Sequence, residues 1–337
     1  MYKQVDDFDC TLYCCRLSLF FGEVIMQVIL GATGPIGLAL ASQLPTFTDE
    51  PIRLVSRQPQ DLSATFSIEN GYSVVASDLC NEQAALEAVK DASVVYFVVG
   101  LPLNTQLWQA QFELITQNVI NACLAHHAKL VFFDNTYMYP QNVSRLTEET
   151  PVVGQGAKGR VRANMTKSVL QAMQHQGLHA LIARAPEFYG PGKTLSFTNL
   201  MVLKALRKAK QARIFISEHT KRTLIHVEDA ARATALLGNT SDAYGQTWHL
   251  PCDDERMTYA QMIDYAQHVL GRPCEHRVLN RWLLEILKFF KPALAETREL
   301  WPRYGIDNIF VSDKFKARFS DFVVTPYTHG IKQTLTE

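Results

Sequence analysis

Short apolar runs recur along the first half of the chain, each followed by a longer stretch in which apolar positions fall three and four apart. Val28–Leu30, Ile52–Ser56, Tyr72–Ala76, Val94–Val99, Leu130–Phe133 and Ala180–Ala183 have the near-continuous hydrophobicity of strands covered on both faces. Ile36–Leu44, Glu82–Lys90, Leu107–His126 and Arg160–Gln176 have the length and periodicity of helices. Strand and helix alternating in this way imply right-handed crossovers and an α/β fold, a doubly wound parallel sheet. Ligands of such sheets bind beyond the carboxyl ends of the strands.

The first strand runs into three glycines, Gly31, Gly34 and Gly37, in the segment Gly31-Ala-Thr33-Gly34-Pro35-Ile36-Gly37. A strand that must turn sharply into a helix needs residues without a Cβ, and the same absence lets the backbone approach a pyrophosphate. The helix N-terminus then turns free N–H groups and a positive dipole end toward the phosphates. Dinucleotide binding is the expectation. A carboxylate at the end of the second strand would hold the adenosine ribose and repel a 2′-phosphate; this chain has Ser56 and Arg57 there. A hydroxyl and a guanidinium favour the phosphate, so NADP(H) is preferred and NAD(H) is the alternative. Asp78 and Leu79 then approach the adenine, and Val99 and Gly100 the adenosine side of the cleft.

Composition narrows the partners. The 337 residues are 47% hydrophobic and carry a formal net charge of zero, with no basic run, which argues against nucleic acid or an anionic membrane as partner. No stretch approaches the ~20 apolar residues of a membrane-spanning helix. Seven cysteines, an odd number, lack metal-type spacing beyond the adjacent Cys14-Cys15, so reduced thiols in a cytoplasmic protein are expected. His126-His127 and His175 lie at helix ends, no His/Cys/carboxylate set has ligand spacing, and no metal is expected. Residues 1–25 contain no element of a nucleotide-binding domain, and Asp6, Asp7 and Asp9 occupy what would be the basic region of a signal peptide. They read as an extension ahead of a natural start at Met26. Trp282, Leu283, Leu284, Ile286, Leu287, Phe289 and Phe290 form an apolar helical stripe, expected to be core or lid rather than a membrane anchor.

Four ordered segments together resemble the extended short-chain dehydrogenases/reductases, also called the NAD-dependent epimerase/dehydratase family. They are Gly31–Gly37, Asp78-Leu79, Arg184-Ala-Pro-Glu-Phe-Tyr-Gly-Pro191 and Leu224-Ile-His-Val-Glu-Asp-Ala-Ala-Arg232. The resemblance implies a Rossmann-type nucleotide domain, residues 26–185 plus about 222–250, with Pro186 against the cofactor. It also implies a smaller α/β substrate lobe, residues 186–221 plus 251–337, and a homodimer is compatible with it. Glu187 and Arg222 fall where the substrate would lie, Arg222 where relatives hold a phosphate or carboxylate. His226 and Asp229 are read as structural.

The departures from the family are equally informative. Its chemistry usually rests on a Ser or Thr after the fifth strand and a Tyr-x-x-x-Lys on the next helix. Asn135 stands at the Ser/Thr position with Thr136 beside it, Lys158 at the Tyr and Arg162 at the Lys; no tyrosine lies between Pro140 and Tyr189. Arg162 can keep the lysine's contact with the nicotinamide ribose, but a guanidinium does not give up a proton at neutral pH. Tyr137 is the favoured acid, at a position where sugar-nucleotide dehydratases of the family carry a carboxylate. Lys158, its pKa lowered by desolvation or by neighbouring arginines, is the alternative. A structural reading, with Tyr137 and Tyr139 as cleft-wall aromatics, also remains open. Two functions follow: an NADP(H)-dependent oxidoreductase or epimerase-like enzyme on a polar small molecule, or a nucleotide-sensing regulator that has lost catalysis.

Overall fold

Seven strands form one parallel sheet in the computed structural model, which describes residues 25–192, 194 and 196–337. The expectation for residues 1–25 therefore lies, Ile25 apart, outside the described residues. The strands are β1 (Met26–Leu30), β2 (Ile52–Ser56), β3 (Tyr72–Ala76), β4 (Ala92–Phe97), β5 (Lys129–Asp134), β7 (Ala180–Arg184) and β11 (Thr247–His249). Their order is β11-β7-β5-β4-β1-β2-β3, and every neighbouring pair is parallel. Leu30 lies opposite Val55 on one side and Phe97 on the other. The order reverses between β1 and β4, so the crevice beyond their carboxyl ends is the topological switch point where such sheets hold ligands.

Helices cover both faces. Along each strand successive side chains alternate: Ile29, Tyr96, Val131 and Leu181 point to α1 (Pro35–Gln43), whereas Val28, Leu30, Val95, Phe97 and Ile182 point to α2 (Glu82–Val89), α3 (Thr105–Ala125) and α4 (Gly156–His175). Two covered faces explain why the strands read as continuous apolar runs rather than alternating ones. Asn81 and Asn104 cap α2 and α3 by accepting from Ala84 N and Leu107 N, both at 2.9 Å.

Three short parallel pairs carry the chain beyond the main sheet: β6 (Arg145–Leu146) with β13 (Ile309–Phe310), β8 (Glu187–Tyr189) with β10 (Leu224–His226), and β9 (Ala212–Phe215) with β12 (His276–Leu279). The remaining helices are α5 (Lys204–Arg207), α6 (Val227–Gly238), α7 (Tyr259–Leu270), α8 (Arg281–Leu287), α9 (Pro292–Thr297), α10 (Asp313–Arg318) and α11 (Tyr327–Thr336). Of these, α6 packs with α1 on the main sheet. A separate core gathers Val202, Phe215, Tyr259, Met262, Leu284, Trp301, Tyr304 and Ile331.

Two expectations are corrected. Helix α4 begins at Gly156, four residues before Arg160, because Gly154 and Gly156 supply the left-handed turn, φ +60° and +75°, that lets the helix start early. In the 282–290 stripe only Leu284 is fully buried, whereas Trp282, Phe289 and Phe290 are 71%, 78% and 77% exposed. With seven residues α8 offers the core one narrow face, Trp282 falls off it, and the chain leaves the helix before the two phenylalanines.

Candidate functional site

The turn between β1 and α1 is built by backbone. Gly31 N and Ala32 N donate to Val55 O at 2.9 and 3.1 Å, and Gly34 N donates to Gly31 O at 3.0 Å. Gly31 has φ +94°, and a Cβ on it would lie 2.8 Å from Val99 Cα, so glycine is what allows the ends of β1 and β4 to close. A Cβ on Gly37 would stand 2.4 Å from Gly31 O and 2.7 Å from Ala32 Cα. Gly34 is different, since its Cβ would meet only Gly31 O at 3.3 Å. Gly37→Ala should therefore destabilise the fold by ~1–3 kcal/mol as backbone is forced apart. Gly34→Ala should melt close to the unmodified protein, and thermal unfolding of the pair checks this.

This turn fits a dinucleotide pyrophosphate. Unlike α2 and α3, α1 has no side-chain cap: Gly34 is its N-cap and Pro35 its first residue, so N–H groups of its first turn remain open to an anion. Ile36 is buried beneath it. Thr33 and Ser56 hydroxyls meet at 2.8 Å across the mouth, and Arg57 beside them is exposed. Asp78 is exposed and accepts from Cys80 N at 3.1 Å, Leu79 is buried with its carbonyl accepting from Asn118 at 2.9 Å, and Val99, half-buried, leads into exposed Gly100. Pro186 is buried one residue before β8.

At the end of β5 a buried carboxylate, Asp134, organises the floor. Arg162 donates to its Oδ1 from Nε at 3.1 Å and Nη2 at 2.5 Å; Arg184 donates to its Oδ2 at 3.3 and 3.2 Å. Thr166 Oγ1 and Asn135 N supply two further bonds, at 3.0 and 2.8 Å. Burial works against the charge of Arg184, but Asp134 and Tyr139 outweigh it and hold its pKa above the ordinary value. The Arg162 guanidinium is thus committed to Asp134, between the rings of Phe112 and Phe132. Asn135 closes an Asx turn, its Oδ1 accepting from Tyr137 N at 3.0 Å.

Lys158 is buried in the first turn of α4 and faces the C-terminal elements. Its ammonium donates to Thr105 Oγ1 at 2.6 Å, Glu296 O at 2.8 Å and Glu296 Oε2 at 2.5 Å, which engages all three donors. Glu299 lies 3.7 Å from the same nitrogen and accepts the backbone N–H groups of Lys158 and Gly159. Burial alone would raise the Glu296 pKa; hydrogen bonds from Lys158 and Thr105 overcome it and hold the carboxylate below its ordinary value.

Thr136, Tyr137, Glu187 and Arg222 come together around a residue that the sequence did not single out, Arg303. Its guanidinium donates to Thr136 Oγ1 at 2.9 Å and Thr136 O at 2.8 Å, and burial lowers its pKa to about 10. Arg222 donates to Arg303 O at 2.7 Å and lies 4.4 Å over the Tyr304 ring. Among the described residues neither arginine has a carboxylate within ion-pair distance, and both Nε atoms are buried without a hydrogen-bond partner. Two buried cations with no anion in direct contact are costly. Glu187 is held beside them, accepting from Thr198 N at 2.7 Å and Tyr304 OH at 3.5 Å. Tyr137 stacks obliquely on Trp108 with centroids 5.2 Å apart, and its hydroxyl has no protein partner among the described residues. Burial pushes its pKa well above the ordinary phenol value; Arg303 pulls it down, while Glu299 and Glu187 push it further up. The signal that could have found Arg303 is an arginine set between Trp301-Pro302 and Tyr304, a charge inside an apolar run.

No curated protein matches the chain. Its fold is similar to that of UDP-glucuronic acid 4-epimerase from Bacillus cereus in complex with NAD, at TM-score 0.74 and 14% identity over 93% of this chain and 96% of that one. It is similar also to dTDP-glucose 4,6-dehydratase from Streptomyces venezuelae with NAD bound, at TM-score 0.72 and 13% identity over 93% and 96%. The UDP-glucose 4-epimerase of Thermus thermophilus in complex with NAD gives 0.69 and 16% over 93% and 98%. The model of the NAD dependent epimerase/dehydratase family matches residues 27–249, about two thirds of the sequence and the part that contains the glycine turn, Asp134 and Arg222. The chain belongs to the NAD-dependent epimerase/dehydratase family.

Proposed function

We propose that this protein is an NADP(H)-dependent oxidoreductase or epimerase-like enzyme whose substrate is a polar small molecule bearing an anionic group. The observation that carries the reading is the pair of buried arginines, Arg222 and Arg303, whose Nε atoms are unpartnered and which, among the described residues, have no carboxylate in ion-pair contact and only Glu187 nearby to offset two charges. A substrate phosphate or carboxylate beside them would partner the open Nε donors and offset the charge that Glu187 leaves unbalanced. Residues 26–185 and about 222–250 would hold the nucleotide, and residues 186–221 and 251–337 the substrate. The working compartment in this reading is the cytoplasm.

Gly31, Thr33, Gly34, Pro35, Ile36 and Gly37 would take the pyrophosphate. Ser56 and Arg57 would take a 2′-phosphate, Asp78 and Leu79 the adenine, and Val99, Gly100 and Pro186 the walls of the cleft. The nucleotide held by these residues would supply the hydride chemistry. The chain's own part is to fix the anionic group with Arg222 and Arg303, to orient a hydroxyl with Glu187, and to give the carbonyl oxygen a proton from Tyr137. Thr136 holds Arg303 in place, and Asn135 holds the turn that aims Tyr137.

Calorimetric titration tests the cofactor half. NADPH should bind more tightly than NADH, and Arg57→Ala should weaken NADPH by ~1.5–3 kcal/mol, the scale of a hydrogen bond to a charged group, with NADH nearly unchanged. Equal affinity of the unmodified protein for both would overturn the preference. A screen of anionic carbonyl compounds for loss of NADPH absorbance tests the substrate half. The commitment of Lys158 to Glu296 and of Arg162 to Asp134 favours a second reading, a regulator that senses NADP(H) without turnover. NADPH-dependent capture of a protein partner, with no substrate found, would support it.

A further inference from the structure

We infer that the outer side of residues 281–291 is a peripheral docking surface for an anionic lipid bilayer, an inference independent of the enzymatic reading. Helix α8 is fastened from within by Leu284, which is fully buried in the C-terminal core. From the other side Trp282, Phe289 and Phe290 stand out, each more than two thirds exposed, with Ile286 beside them at 37%. Elsewhere the exposed large apolar residues are spread singly along the chain. Three aromatic rings, each more than two thirds exposed within nine residues, concentrate exposed apolar surface on one short segment, the kind of surface that marks an interaction site.

Charge selects the occupant. Arg281 and Lys291 flank the rings in sequence, are exposed and have no ion-pair partner among the described residues, although Arg281 borders a cavity it shares with Glu285, Glu296 and Glu299, the first two of them already paired with cations. Lys288 lies 5.0 Å over the Phe289 ring. The single acid of the segment, Glu285, is already paired with Lys288 at 2.5 Å and Arg298 at 3.2 Å. The segment carries Arg281, Lys288 and Lys291 against Glu285, so the zero net charge of the whole chain, which spoke against an anionic membrane, does not describe this face. A second copy meeting this patch about a two-fold axis would set Arg281 and Lys291 of one chain against the same cations of the other. Anionic headgroups instead complement the rim, and protruding rings enter the acyl boundary without needing a pocket shaped to receive them. Nothing here spans the bilayer: α8 has seven residues, and no helix of the described residues is long and apolar enough to cross a membrane.

The test uses the full chain with phosphatidylcholine vesicles, with and without phosphatidylglycerol. Of the four tryptophans Trp108, Trp248 and Trp301 are buried, so Trp282 alone reports on the surface. Cosedimentation should require phosphatidylglycerol, weaken with salt, and be accompanied by a blue shift of emission that Trp282→Phe removes. Phe289→Ser with Phe290→Ser should lower partitioning by more than about tenfold, the scale of withdrawing one phenyl ring from an apolar phase. Arg281→Glu with Lys291→Glu should abolish binding; all these sites are exposed, so unchanged melting temperatures confirm intact folding. The inference is overturned if neither vesicle binds, if the serine variant binds as well as the unmodified chain, or if the blue shift arises with protein concentration in the absence of lipid.

Discussion

Replacing Asp134 with alanine is expected to lower the stability of this protein by ~3–5 kcal/mol, the penalty for leaving a buried charge without its partner. The carboxylate is wholly buried and accepts from Arg162, Arg184, Thr166 and Asn135 N, so its removal orphans two guanidinium groups together. Neither arginine can reach water from where it sits, and each is held in place by aromatic faces, Arg162 by Phe112 and Phe132 and Arg184 by Tyr139. Asp134→Asn keeps one acceptor oxygen and the shape but loses the charge, so it should fall between alanine and the native residue. Thermal and urea unfolding of the three proteins would measure this. A loss below ~1 kcal/mol for alanine would place the cluster among exposed ion pairs, which contribute little, and would contradict its role as the buried anchor of two arginines.

The same cluster shows what the sequence could and could not disclose. The strands of the main sheet were legible because a strand covered on both faces must be apolar at nearly every position, and that signal is local. The phosphate turn was legible for the same reason: three glycines, a strand and a helix lie within one short segment. Lys158, by contrast, is placed by sequence only at the family's tyrosine position as the alternative acid, and what fixes its direction is Glu296, 138 residues further on. Arg162 shares that dependence, since the carboxylate that takes its guanidinium lies 28 residues earlier, on another element. Arg303 escaped notice because it belongs to a 3₁₀ segment, Arg298–Gly305, with neither helical nor strand periodicity. The stripe from Trp282 to Phe290 has the period of a buried helix, yet the helix it forms is too short to bury it. Periodicity reports which face is apolar; only tertiary contacts decide whether anything covers that face.

Tyr137→Phe is expected to reduce turnover by ~10²–10⁴-fold, the usual contribution of a positioned proton donor, while NADPH affinity stays unchanged. The substitution keeps the ring against Trp108 and removes only the hydroxyl, which has no protein partner among the described residues whose loss would disturb the fold. Burial holds the phenol neutral through the physiological range, so the donor form is fully populated and activity should show no alkaline decline from this group until the pH passes its raised pKa, above the ordinary value of 10.0. Lys158→Met separates the two candidate acids. Because the lysine's three donors are spent on Thr105 and Glu296, removing it should chiefly lower stability, by leaving Glu296 and Glu299 without their cation, and should affect kcat less than Tyr137→Phe does. Arg162→Met should behave as a milder counterpart of Asp134→Ala, visible in the melting curve before it is visible in the kinetics. If Tyr137→Phe turns over normally and Lys158→Met does not, the proton comes from the lysine and the Glu296 contact must open during the reaction; if both variants turn over normally, neither is the donor.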